Sequence, residues 1–206
     1  MLLRAVGFDY LGVLTRLGGG RSIYQRIAEV AGVAPDDVYA AYQRHNRALQ
    51  TGELSVAELW TLIASELGVS GRATAMIATA DDTVPELNPD MLNLAGRLKR
   101  GGYRVGLLSN LSGSWVDHLR TLGIDQLFDA ALFSSETQLA KPDPRAFQLL
   151  ADRLGVDPHE LVFIDDQTAC LEGVDRLGVT PILFTGYDKL VTDLKKLGVT
   201  GTQTDH

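Results

Sequence analysis

Residues 7–15 read GFDYLGVLT. The apolar residues Leu2, Leu3, Ala5, Val6 and Phe8 run up to a single carboxylate, Asp9, and the apolar character resumes at Leu11, Val13 and Leu14. The short apolar run Leu3–Phe8 reads as a buried strand. An acid at its end either caps a turn or belongs to a site, because a buried charge without a partner is costly. Asp9 taken alone does not separate these readings.

Four further runs have the same character: Tyr103–Leu108, Ala131–Phe133 with its flanks, Leu161–Ile164 and Pro181–Phe184. From the second onward, a helical pattern separates each run from the next. Strands alternating with helices imply a parallel sheet covered on both faces. Asp143-Pro144 supplies an N-cap and a proline at the first helical position. Asp157-Pro158 with Glu160 starts a very short helix. Gly101 and Gly102 close the helix Met91–Arg100, and Gly155 and Gly178 close two others.

Residues 16–87 interrupt the alternation. They hold only helical patterns, at Ser22–Ala31, Asp36–Gln50, Ser55–Leu67 and Arg72–Ala80, with Ser55 and Glu58 forming a capping box. The expected fold is therefore α/β: a Rossmann-like parallel five-stranded sheet core (residues 1–15 and 88–206) with an inserted α-helical cap domain (residues 16–87). The glycines Gly18–Gly20 and the segment Pro85–Pro89 mark the expected boundaries. The polar residues Thr200–His206 are expected to be disordered.

The totals agree with that plan. The chain has 206 residues, 45% of them hydrophobic, enough for one sizeable core and a small accessory unit. With 19 basic and 26 acidic side chains the net charge is −7, which speaks against nucleic acid or an anionic membrane as partner. A single cysteine, Cys170, permits no internal disulfide and fits a reducing compartment. No apolar run approaches the ~20 residues that span a bilayer, and the first residues lack the apolar region of a signal peptide. A cytoplasmic protein is expected.

In an open parallel sheet, ligands bind outside the carboxyl ends of the strands. The first strand ends at Asp9. RVGLLSN delivers Ser109 and Asn110, FSSETQLAKPDP brings Lys141, and VFIDDQ presents Asp165 and Asp166. Each has an ordinary reading as turn former, helix cap or solvated lysine. Four such coincidences at four corresponding positions do not. Three converging carboxylates repel one another unless a cation sits among them, and a hard oxygen-ligand set suits Mg²⁺. A lysine and a hydroxyl opposite would hold the remaining oxygens of a phosphoryl group. One carboxylate can then attack phosphorus and form an aspartyl-phosphate. Asp9 is the candidate, because chain order places its strand at the centre of the sheet.

These residues resemble the haloacid dehalogenase-like superfamily over nearly the whole chain. FDYLGVLT is similar to its first motif, Phe-Asp-x-Asp-Gly-(Val/Thr)-Leu, and LLSN to the second. Lys141 in AKPDP resembles the third, and VFIDD followed by LEGVDRLGV the fourth. A helical insert directly after the first motif is similar to the family's type 1 cap. The resemblance implies Asp9 as nucleophile and Ser109, Asn110 and Lys141 as the phosphate clamp. It further implies Mg²⁺ held by Asp9, Asp165, Asp166 and the backbone carbonyl of Leu11, and a small phosphorylated metabolite as substrate. A homodimer through the cap is compatible with it.

Two positions depart from the pattern. Leu11 stands where family phosphatases carry the aspartate that protonates the leaving group, a contribution of about 10²–10⁴ in rate. Hydrolysis of ordinary phosphate esters is therefore expected to be weak, with three outcomes open: substrates with good leaving groups, such as sugar 1-phosphates or acyl phosphates, substitution by another cap or rim residue, or vestigial catalysis. In the haloacid dehalogenases proper that position is usually Tyr, and here Tyr10 lies one place early while the acid pair is retained. Metal-dependent phosphate chemistry thus ranks above 2-haloacid dehalogenation, with a non-catalytic phosphometabolite-binding protein as the third alternative. Cys170 stands where many relatives have Asn and reads as a buried structural thiol. Within the cap, Arg21, Tyr42, His45 and Arg47 are candidates for contact with the substrate, Trp60 reads as core, and Trp115 as packing.

Overall fold

The computed structural model describes residues 2–16, 19–81 and 85–201. Strand β1 (Ala5–Phe8) leads into a wide turn, Tyr10–Leu14, and then into four helices: α1 (Gly19–Ala31), α2 (Pro35–Gln50), α3 (Val56–Glu66) and α4 (Ala73–Asp81). Helix α5 (Pro89–Arg100) returns the chain to β2 (Arg104–Ser109). The rest follows as α6 (Gly113–Thr121), β3 (Ala130–Phe133), the single turn α7 (Ser134–Thr137), α8 (Pro144–Leu154), β4 (Leu161–Asp165), β5 (Thr180–Leu183) and α9 (Tyr187–Lys196).

All five strands are parallel, in the order β3-β2-β1-β4-β5, so β1 is central as chain order implies. Alternation along each strand divides the core in two. Val6, Phe8, Val105, Leu107, Val162 and Ile164 face α5, α6 and α9. Ala5, Leu108, Leu161 and Phe163 face α8 through Phe147, Leu150 and Leu154. Gly106 lets α8 lie close on the sheet, since a Cβ there would meet the Leu150 and Leu154 methyls at 2.8 and 2.9 Å.

Helices α1–α4 carry their own apolar cluster, built on Ile27, Val38, Leu59, Trp60, Ile63 and Met76. The segments leading into and out of them run antiparallel: Thr15 bridges Leu87, Arg16 N donates to Glu86 O at 2.7 Å, and Asn88 N donates to Leu14 O at 2.8 Å. The capping box is present, with Glu58 N donating to Ser55 Oγ at 3.2 Å and Ser55 N to Glu58 Oε2 at 2.8 Å. Asp143 caps α8 by accepting from Arg145 N at 2.9 Å, and Gly155 closes it at φ +67°.

Three local expectations need correction. The glycine run is not a boundary throughout: Gly19 and Gly20 are the first residues of α1, while Gly18 lies outside the described residues. No α-helix joins β4 to β5. Gly173, in the left-handed region at φ +72°, splits that stretch into two short 3₁₀ turns, Thr168–Leu171 and Val174–Leu177, and Gly178 ends the second rather than a helix. The first strand starts at Ala5 rather than Leu3. Of the tail expected to be disordered, residues 202–206 lie outside the described residues.

Candidate active site

Register delivers the charged groups to one edge. Phe8 sits opposite Leu107 on β2 and Ile164 on β4, so Asp9 and Asp165 leave the sheet at the same level. Asp9 N donates to Ile164 O at 2.9 Å, which anchors the first acid to the neighbouring strand. The loop then turns sharply. Gly12 N donates to Thr15 Oγ1 at 3.0 Å, and Gly12 adopts φ +80°. A Cβ at Gly12 would stand 2.3 Å from Asp166 Oδ2, so both the backbone and the neighbouring carboxylate require glycine.

Asp9, Ser109, Lys141 and Asp165 are buried and bonded to one another. Asp9 Oδ1 accepts from Ser109 Oγ at 2.6 Å and lies 2.8 Å from Lys141 Nζ. Lys141 Nζ also donates to Asp165 Oδ2 at 2.5 Å. Burial alone would lower the Lys141 pKa, but the charges of Asp9 and Asp165 outweigh it and raise the value above that of an ordinary lysine. Oxygens of Asp9, Asp165 and Asp166 all lie within 4.8 Å of one another. Burial, then the charge of Asp9, push both Asp165 and Asp166 up to about 6.

The two adjacent acids are not equivalent. Asp165, expected as a metal ligand, instead has both oxygens engaged, Oδ2 with Lys141 and Oδ1 accepting from Gln167 N at 2.8 Å. Asp166 Oδ1 is buried and has no hydrogen-bond partner. One lysine faces three carboxylates here, and an orphaned buried carboxylate oxygen at the edge of that group is what a hard divalent cation would satisfy. The donor set fits Mg²⁺.

Asn110 is placed differently from the expectation of a phosphate contact. Its Nδ2 donates to the backbone oxygen of Lys141 at 3.0 Å and to Gln50 Oε1 at 3.2 Å, while Lys141 N donates to Asn110 Oδ1 at 2.8 Å. The side chain clasps the Lys141 backbone and touches the end of α2.

Above these groups lies a cavity of about 480 Å³. Asp9, Leu11, Ser109, Asn110, Lys141 and Asp166 form its floor. Asp165, fully buried, is not among the lining residues. Tyr42 lines the roof as expected. His45 does not: it pairs with Glu66 at 3.0 Å. Arg47 is exposed and off the cavity, and the Arg21 side chain lies outside the described residues. Trp60 is core, 2% exposed, yet also borders the cavity. Trp115 packs against the sheet-face cluster and lines the wall. Cys170 is half-buried rather than buried; it lines the cavity, and burial pushes its thiol up to about 12, so it is neutral. Tyr10 turns into the core beneath the sheet edge, and its hydroxyl is buried without a partner.

Sequence reasoning missed Tyr24, Tyr39, Asn46, Gln50 and His118 as lining residues. A signal was present. Positions 39, 42, 43, 46, 49 and 50 share one face of α2 at helical spacing, whereas 45 and 47 lie off it. His118 follows Ser114 by four residues on α6.

Residues 3–173 match the family described as haloacid dehalogenase-like hydrolase. A phosphatase of Mycobacterium tuberculosis is 29% identical over 216 residues, covering 96% of each chain. (S)-2-haloacid dehalogenase 4A of Burkholderia cepacia is 33% identical over 95 residues, 46% of this chain and 41% of that protein. The chain spans only 22–41% of the length of several curated relatives it matches. Among solved structures, an enzyme of Bacteroides thetaiotaomicron in complex with magnesium and inorganic phosphate has the same fold, with a TM-score of 0.70 at 22% identity over 88% of this chain and 93% of that one.

Proposed function

The chain belongs to the haloacid dehalogenase-like hydrolase family, and from that premise we propose that it is a Mg²⁺-dependent phosphohydrolase of a small phosphorylated metabolite, acting through an aspartyl-phosphate on Asp9. The observation that carries this reading is the trio Asp9, Asp165 and Asp166, with oxygens within 4.8 Å of one another and a single lysine opposite. The similarity to a phosphatase along 96% of both chains supports it. A metal-free hydrolysis of carbon–halogen bonds would leave the charge of Asp166 uncompensated.

Asp9, Asp166 and the backbone carbonyl of Leu11 would hold Mg²⁺, which when bound neutralises the carboxylates and the phosphoryl oxygens. An Asp9 oxygen attacks phosphorus, the bond to the substrate oxygen breaks, and that oxygen leaves with the electron pair. Lys141 and Ser109, both bonded to Asp9, turn to the phosphoryl oxygens as charge moves there. Asp165 aims Lys141, and Asn110 fixes its backbone. Water then attacks the phosphorus of the aspartyl-phosphate, releasing inorganic phosphate and restoring the Asp9 carboxylate. Helices α1–α4 act as the lid that excludes bulk water.

Phosphate release over a panel of phosphate esters, with and without EDTA, tests the reading. Metal-dependent release is expected, falling by at least about 10³-fold in Asp9→Asn. Release that ignores EDTA, with Asp9→Asn equal to wild type, overturns it. Chloride release from 2-chloropropionate in place of phosphate release would establish the dehalogenase alternative instead.

A further inference from the structure

The space above the carboxylates has a definite chemical character. Tyr24, Tyr39, Tyr42 and Trp60 border it from α1, α2 and α3, and Trp115 borders it from α6, so both tryptophans of the chain lie on one cavity. The rings are consecutive neighbours: Tyr24–Tyr39 centroids are 5.1 Å apart, Tyr24–Tyr42 5.0 Å, and Tyr42 stacks on Trp60 at 5.9 Å. Among the described lining residues Lys141, on the floor, is the one lysine or arginine. Besides Asp166 on the floor, two lining side chains hold buried polar atoms without partners, Asn46 Oδ1 and His118 Nε2. The floor has its own peculiarity. Leu11 lines it and carries no ionisable group.

Resting on the phosphohydrolase reading, we propose that the substrate is an aryl phosphate, a monoester whose leaving group is an uncharged aromatic alcohol. The roof selects the leaving group by shape. An aromatic ring gains about 0.5–1.5 kcal/mol from ring contacts beyond its buried area. An anionic leaving group, such as a carboxylate or a second phosphate, would meet no lysine or arginine there and would lose its hydration. A sugar would bring several hydroxyls to a wall with two unpartnered buried polar atoms; one ring-borne donor is matched by Asn46.

Leu11 selects the same class by reactivity. As the Asp9–phosphorus bond forms and the phosphorus–oxygen bond breaks, the electron pair goes to the departing oxygen. An alkoxide needs a proton at that moment, and no side chain at position 11 supplies one. A phenolate, whose conjugate acid has a pKa of about 10, leaves unprotonated and takes its proton from water afterwards. Two features at opposite ends of the cavity thus call for one leaving group.

The test uses the full chain with Mg²⁺ and four esters: 4-nitrophenyl, phenyl and hexyl phosphate, and glucose 1-phosphate. The expected kcat/KM for phenyl phosphate exceeds that for hexyl phosphate at least about 100-fold, and Leu11→Asp narrows the gap to under about tenfold by speeding the alkyl ester. A second measurement does not need turnover. Phenylphosphonate should shift tryptophan fluorescence and bind at least about tenfold more tightly than methylphosphonate. Tyr39→Ala, at a residue 46% exposed, should weaken that preference. Hexyl phosphate or glucose 1-phosphate hydrolysed as fast as phenyl phosphate by wild type, or equal binding of the two phosphonates, overturns the aryl assignment and leaves the phosphohydrolase intact. No phosphate from any ester, with Asp9→Asn unchanged, overturns both.

Discussion

The floor and the roof of the cavity are held together in different ways. On the floor, side chains from three strand ends and the loop before α8 are joined by contacts of 2.5–2.8 Å between charges and a hydroxyl. The roof is made of rings from three successive helices, with centroids 5.0–5.9 Å apart. Short charged contacts between buried groups depend on each partner being present. Ring contacts depend on filling space. The floor should therefore fail when one partner is removed, and the roof should yield gradually.

Lys141 offers the severest way to break that contrast. Lys141→Ala leaves Asp9 and Asp165 buried without their cation, and unfolding in urea should show a loss of about 3–5 kcal/mol in metal-free protein at neutral pH. Asp166→Asn should do the opposite. Its carboxylate is partnerless and raised by burial and by Asp9. Removing that charge should therefore stabilise the metal-free fold by about 1 kcal/mol, while abolishing the rise in melting temperature on adding Mg²⁺. A destabilised Asp166→Asn that still responds to Mg²⁺ would remove Asp166 from the ion site.

The pH dependence follows with a definite sign. Asp165 and Asp166 titrate near 6 in the folded protein against about 3.8 unfolded. The folded state therefore holds their protons longer, and the stability they confer is complete below about pH 3.8 and is lost as pH rises through about 6. Metal-free protein should accordingly lose stability from pH 5 to 7 as far as these two groups decide it. The Mg²⁺-induced rise should grow over the same interval, since the ion competes with those protons. Differential scanning fluorimetry with and without Mg²⁺ at pH 5, 6 and 7 reads both trends. The smallest effect belongs to the roof: Tyr39→Ala, which removes one ring contact at a half-exposed side chain, should cost about 0.5–1 kcal/mol in urea.

The same contrast explains what the sequence makes legible. Each floor residue ends or follows an apolar strand, and parallel register then leaves little freedom in where Asp9, Ser109 and Asp165 emerge. What strand patterns do not carry is the division of labour between Asp165 and Asp166, or the engagement of Asn110 with the Lys141 backbone. Those depend on which way single side chains turn once the loops are packed. The roof is less legible because one helix face serves two ends. Val38 on α2 is core while Tyr42 and Asn46 border the cavity, and all three follow one another at a spacing of four. The missing helix between β4 and β5 was obscured by a plausible apolar spacing that Gly173 interrupts.

One small junction ties the helical unit to the chemistry of the sheet edge. The last turn of α2 reaches the sheet edge through Gln50, whose side chain accepts from Asn110 at 3.2 Å and whose carbonyl accepts from Ser134 at 2.5 Å. Two such bonds, at about 1 kcal/mol each in water, together contribute a factor of roughly thirty to this attachment. Because Asn110 also holds the Lys141 backbone, whatever loosens α2 from the sheet edge acts on the neighbour of the lysine's own support.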